Sequence, residues 1–181
     1  MKIKNSFFTI CLMVLSCQLM SITLVAQRNM IYLKIKGQKQ GEIRGEVTER
    51  GKENTIKAIS LDHQIVSPRD AASGLPTGKR QHKPLSIIKM LDKASPLLYN
   101  ALVTNENLPE VNISFYRLSN LNAANELYYS IRLTNANISS IKMITKEDGT
   151  LTEEISFTYQ KIAWTYTNGG ITAEDSWEAQ F

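Results

Sequence analysis

Cysteine is nearly absent from this 181-residue chain: Cys11 and Cys17 are the whole complement, and both fall in the first apolar segment. Beyond residue 17, disulfides, thiolate nucleophiles and cysteine-bound metals are therefore excluded. Histidine is as scarce, with only His63 and His82. No metal-ligand spacing pairs them, and both read as ordinary side chains, His63 on the apolar phase of a strand and His82 at a basic loop edge. The patterns GxSxG, HExxH, the phosphate loop and the EF-hand are all missing. A large charge of one sign is missing too, since 21 Lys and Arg against 17 Asp and Glu leave only +4. That is too little to indicate attraction to nucleic acid. The adjacent carboxylates Glu153 and Glu154 belong on opposite faces of a strand, cannot flank one bond, and read as a solvated strand start. No catalytic residue, cofactor or metal site is expected, and an enzyme is disfavoured.

The first segment stands apart. Lys2 and Lys4 precede an apolar run from Phe7 to Leu15, which Ser16-Cys17-Gln18 interrupts before it resumes through Val25-Ala26. This suits a secretory signal peptide over 1–26, cleaved after Ala26, leaving about 155 residues from Gln27. An imperfect lipoprotein signal with Cys17 lipidated is the competing reading, weakened by Leu15 and by the apolar run past the cysteine. A stable membrane span is not expected, given Ser16 and Gln18. Losing Lys2 and Lys4 lowers the net charge to +2. The remainder is long enough for one domain with a true core and too short for two.

What is present is mostly strand. Ile31 to Ile35 alternates and ends at Gly37; a short strand is expected at Ile43–Val47; Thr55–Val66 places Ile59, Leu61, His63 and Ile65 on one face. Leu85–Leu91 follows, then Val111, Ile113 and Phe115. Leu127 to Leu133 and Ile155 to Tyr159 each change phase, at Asn135–Asn137 and at Gln160–Lys161, which predicts bulges there. Lys146-Glu147-Asp148-Gly149 supplies the turn between them. One helix is announced: Ser95 as N-cap, Pro96 at N1, then Leu97, Leu98, Ala101 and Leu102 on one face until Thr104–Pro109. The fold expected is mainly β, with two packed antiparallel sheets forming a small barrel or sandwich and one short flanking helix. Ser67 to Arg80, rich in Pro, Gly and basic side chains, reads as a long loop and the leading interaction element, with a floppy solvated excursion as its equal alternative. The acidic tail 168–181 is expected to be partly disordered, or else to dock Trp177 and Phe181 on a neighbour. The seven tyrosines read as sheet-packing or subunit-contact side chains.

Met90-Leu91-Asp92-Lys93-Ala94-Ser95-Pro96-Leu97-Leu98, Asn137-Ile138-Ser139-Ser140 and Thr152 to Tyr166, with the opening Ile31 to Gly37, resemble the haemolysin-coregulated protein (Hcp) family, the inner-tube proteins of bacterial type VI secretion. The likeness spans roughly Met30 to Thr167 in matching order, and makes 27–167 an Hcp-like barrel domain. It implies a β-barrel of two packed sheets with a flanking helix. It also implies homohexameric rings that stack into a tube, carry effectors in the lumen, wear a spike protein as cap and are expelled by a sheath. Such a protein is structural and not enzymatic. By the same resemblance the Ser67–Gln81 loop contacts the next ring through Arg69, Leu75, Lys79 and Arg80.

Three departures from the family pattern stand out. Leu61, Asp62, His63 and Gln64 occupy places where aromatic, small polar, aromatic and Gly are usual, which makes Asp62 the candidate lumen and effector contact. Gln160 replaces a common Gly. The signal peptide is unusual: either translation begins at Met30 and the protein is cytoplasmic and then secreted, or general export places it in the periplasm or outside. An exported binding module on the same barrel is the alternative function.

Overall fold

The computed structural model describes residues 29–119 and 124–177. The proposed signal segment, both cysteines and Phe181 lie outside the described residues. The elements run β1 (Met30–Gly37), β2 (Gly41–Ile43), β3 (Ile56–Asp62), β4 (Ile65–Val66), β5 (Gln81–His82), β6 (Leu85–Met90), α1 (Ser95–Val103), β7 (Leu108–Leu118), β8 (Asn125–Thr145), β9 (Leu151–Tyr166) and β10 (Ile171–Ser176). Six strands close a barrel in the order β9-β6-β3-β1-β7-β8, with β8 pairing back onto β9. Every pairing around it is antiparallel. Closure removes the sheet edges that would otherwise invite pairing with other chains. β2 extends beside β1, β10 beside β9, and β4 with β5 form a separate two-stranded sheet.

Alternation decides what fills the barrel. Leu33 and Ile35 of β1, Leu85 and Ile87 of β6, Val111 and Ile113 of β7, and Ile155 and Phe157 of β9 are all buried. The outer side of β1 is also covered at Tyr32, because residues 45–55 fold across it. Gly45 donates to the Asn54 carbonyl at 2.8 Å. A Cβ at Gly45 would stand 2.2 Å from the Thr55 carbonyl oxygen, so only glycine allows this approach. The buried Lys52 ammonium lies 4.5 Å and 4.3 Å from the ring centres of Tyr32 and Tyr116, a cation–π seat that seals the loop.

Several expectations change. β2 covers Gly41–Ile43, ahead of the expected Ile43–Val47. The Thr55–Val66 segment is two strands, and its odd residues do not share a face: Ile56 and Ala58 point inward while Ile59 is exposed. A register shift between Ala58 and Ser60 then turns Leu61 toward the core. The phase changes of β8 and β9 occur where expected, but not as one-sided bulges. Thr134 pairs with Lys161 and Ala136 with Tyr159. Between them Asn135 takes a left-handed φ of 49° and donates its side-chain amide to the Gln160 carboxamide oxygen at 2.7 Å. Both strands reverse faces at one level, so the register continues across it. The register shift of this pair lies farther on, between Ile138 and Ser140.

The helix forms where expected with different chemistry at its start. Its N-cap is Ala94, without a side-chain cap bond, and Ser95 is the first helical residue. At its end Asn105 takes φ 49°. The Glu106 and Asn105 amides donate to the Ala101 and Leu102 carbonyls at 2.8 and 3.0 Å, a Schellman closure. Leu98 and Ala101 are buried. The tail is ordered through Ser176: Ile171 to Ser176 pair with Tyr166 to Lys161 as β10, so partial disorder is not observed there.

Candidate functional site

Residues 67–80 form a hairpin whose legs meet again at an isolated bridge between Arg69 and Pro76. Its tip folds on itself: Asp70 donates its amide to the Leu75 carbonyl at 2.9 Å and Thr77 to the Pro68 carbonyl at 3.0 Å, while Gly74 donates to the Asp70 carbonyl at 2.9 Å. The Asp70 carboxylate accepts from the amides of Ala72 and Ser73 and from the Ser73 hydroxyl, and these donors hold it below the usual carboxylate range. Arg69, Leu75 and Lys79 are exposed on this arm, Leu75 at 65%. At the root the two legs pair with each other in the short β4–β5 ladder, Ile65 with His82 and Val66 with Gln81. Lys83 adds one amide bond to the Gln64 carbonyl at 2.9 Å.

Beside that root lies a polar cluster. Arg80 engages the Asp175 carboxylate of β10 with two guanidinium nitrogens, and donates to the Ser176 carbonyl at 2.8 Å. The buried His82 reaches Asp175 through Nε2 at 2.8 Å and the Tyr159 hydroxyl through Nδ1 at 2.9 Å. His63 Nε2 meets the same hydroxyl at 2.6 Å. The Trp177 ring centre is 5.4 Å from that of His82. Arg80, with His82, holds Asp175 below its ordinary pKa against the opposing effect of burial. Burial, then the charge of Asp175, pushes Tyr159 up. Burial, then His82, lowers His63, with Asp62 acting the other way.

A second cluster sits where α1 meets the barrel. Lys89 and Glu153 are fully buried and 2.6 Å apart. The Ser95 hydroxyl donates to Glu153 at 2.6 Å and accepts from the Asp92 amide at 3.1 Å; Lys89 also contacts Ser95 and Asp92, at 3.0 and 2.7 Å. This corrects two expectations: Ser95 is not the N-cap and Glu153 is not solvated. The reason is shared, because leaving a buried charge unpartnered costs more than leaving a helix amide uncapped. Glu106, also buried, ties the β1–β2 turn by accepting from Lys39 and Gln40 amides at 2.6 and 2.9 Å. Burial pushes it up, but those amides together hold it below its ordinary value.

Of the residues singled out from sequence, Arg69, Leu75 and Lys79 share the arm. Arg80 sits at its root and is turned inward to Asp175. Asp62 is exposed at the end of β3. His63 and His82, read as unconnected, meet through Tyr159. Asp175 escaped the sequence reading, although Asn168-Gly169-Gly170 is a hairpin signal that points to a strand after it. No helix among the described residues is long and apolar enough to cross a membrane.

Comparison with known proteins gives one family. The model described as "Type VI secretion system effector, Hcp" matches residues 32–166. The "Major exported protein" of Pseudomonas aeruginosa is 38% identical over 164 residues, covering 82% of this chain and 95% of that protein. A crystal structure of an Hcp protein superposes with TM-score 0.77 at 33% identity, covering 82% of this chain and 99% of that one. The secreted protein Hcp3 of P. aeruginosa gives TM-score 0.71 at 33% identity, over 84% and 100%. With the barrel, the flanking helix and the hairpin all inside the matched length, this chain belongs to the Hcp family of type VI secretion proteins.

Proposed function

We propose that the chain is a structural tube protein: copies close as homohexameric rings, the rings stack, and effectors travel in the lumen. The observation that carries this reading is the likeness across the whole barrel, which spans 99% of an Hcp chain at TM-score 0.77. The surface supports it. Ile59, Met90, Leu91 and Val103 are large apolar side chains left exposed on a single barrel, and contact with identical copies would cover them. The hairpin supplies the axial contact through Arg69, Leu75 and Lys79, with Arg80 anchoring its root. Asp62 lines the lumen as an effector contact. A sheath and a spike protein are the remaining partners of such a tube.

Sedimentation and negative-stain microscopy of the purified chain test this. Hexamer mass and ring images with stacks at high concentration are expected; a monomer at every concentration overturns the reading. Export through the segment 1–26 is proposed alongside, and N-terminal sequencing of the native protein decides it. A start at Gln27 supports export, and a start at Met30 eliminates it.

A further inference from the structure

We infer that Asp175 is a positioning residue for the 67–80 hairpin, so that a strand beyond the family-matched residues 32–166 sets the stance of the ring-facing arm. This rests on the reading that the arm meets the next ring. The tip is held together by its own hydrogen bonds. At the root its two legs are held to each other by two residue pairs of ladder and the Lys83 amide bond, and among the described residues this small sheet pairs with no barrel strand. A rigid arm on so short a root turns a small change at the root into a large displacement at the tip.

Asp175 reaches both legs of that root. On the returning leg it grips Arg80 as a fork and accepts from His82 directly. On the outgoing leg it acts through a chain whose polarity follows from the donors available. A carboxylate only accepts, so a neutral His82 carries its hydrogen on Nε2 and leaves Nδ1 as an acceptor. The Tyr159 hydroxyl therefore donates to His82, and its oxygen accepts from His63 Nε2–H. His63 lies directly before Gln64, whose carbonyl takes the Lys83 amide. β10 gives Asp175 a fixed platform: Ile171 to Ser176 pair with β9, and Trp177 donates its amide to the Gln160 carbonyl at 3.1 Å. One carboxylate thus joins β10 to β5 directly and, through Tyr159 of β9, to His63, two residues ahead of β4.

The test uses the full chain with Asp175→Asn, Asp175→Glu and Arg80→Lys. Asn keeps the shape and loses the charge; Lys keeps the charge and loses the fork. In D175N and R80K, hydrogen exchange at the Lys83 amide is expected to speed up about ten-fold, with protection of the barrel amides of Leu33 and Ile113 unchanged. D175N is expected to form rings but shorter stacks, and D175E to recover both readouts. Unchanged Lys83 exchange in D175N and R80K overturns the inference, as does stacking of normal length from a chain whose root is loosened. If D175N does not fold, R80K alone decides by the same two readouts. If the wild-type rings never stack, the tube reading falls, and Lys83 exchange still decides whether Asp175 holds the arm.

Discussion

Lys89 is the residue on which the helix-to-barrel junction depends. Its ammonium is wholly buried and contacts Glu153, Asp92, Ser95 and the Met90 carbonyl. Lys89→Met leaves the buried Glu153 carboxylate without its cation and is expected to destabilise the fold by about 3–5 kcal/mol in chemical denaturation. The double variant Lys89→Met with Glu153→Met should recover much of that loss, because the desolvated charge is gone. His63 belongs to the same scale. Its folded-state pKa lies below the ordinary 6.5, so the unfolded chain binds more protons once the pH drops below that value. Stability should fall from about pH 6.5 downward as a result. Asp175, held low by Arg80 and His82, contributes above the ordinary carboxylate range and loses its contribution as the pH falls through its folded value. Acid denaturation followed from pH 8 to pH 3 should therefore show two descents, and His63→Gln should flatten the upper one.

Among the elements, the paired step of β8 and β9 shapes the barrel most. Asn135 is at φ 49°, where a side chain with a short polar end or no side chain is tolerated and a β-branched one is strained. Asn135→Val is expected to cost about 1–2 kcal/mol and Asn135→Gly to be near neutral, read from denaturation midpoints. Both phase changes were visible in the sequence because the apolar residues themselves shift parity. That the two strands shift together was not, since a pairing partner is a property of the folded sheet. The helix shows the same division. Pro96 and the Leu98–Ala101 spacing announced it locally, whereas Ser95 had its hydroxyl claimed by Glu153, which lies 58 residues away in the chain.

On the scale of the molecule, the hairpin is the feature that a single barrel does not require. Its self-bonded tip and exposed Leu75 cost nothing to the barrel core, so Leu75→Asp should leave the melting temperature of the chain unchanged within about 1 °C. On the proposed stacking contact the same change should shorten the stacks seen in micrographs while rings persist. Equal stack lengths in the variant and the wild type would remove Leu75 from the contact.

The sequence by itself determined the strand-rich class, the position of the helix and the family resemblance, since all of these follow from short-range patterns of apolar spacing, turn residues and ordered motifs. Only the tertiary structure decided that His63, His82, Tyr159, Arg80 and Asp175 form one chain, that Glu153 is buried beside Lys89, and that Ile171 to Ser176 of the acidic tail form a strand. Each of these depends on residues far apart in sequence meeting across a closed barrel. In that setting the cost of burying a charge selects partners that local propensity cannot name.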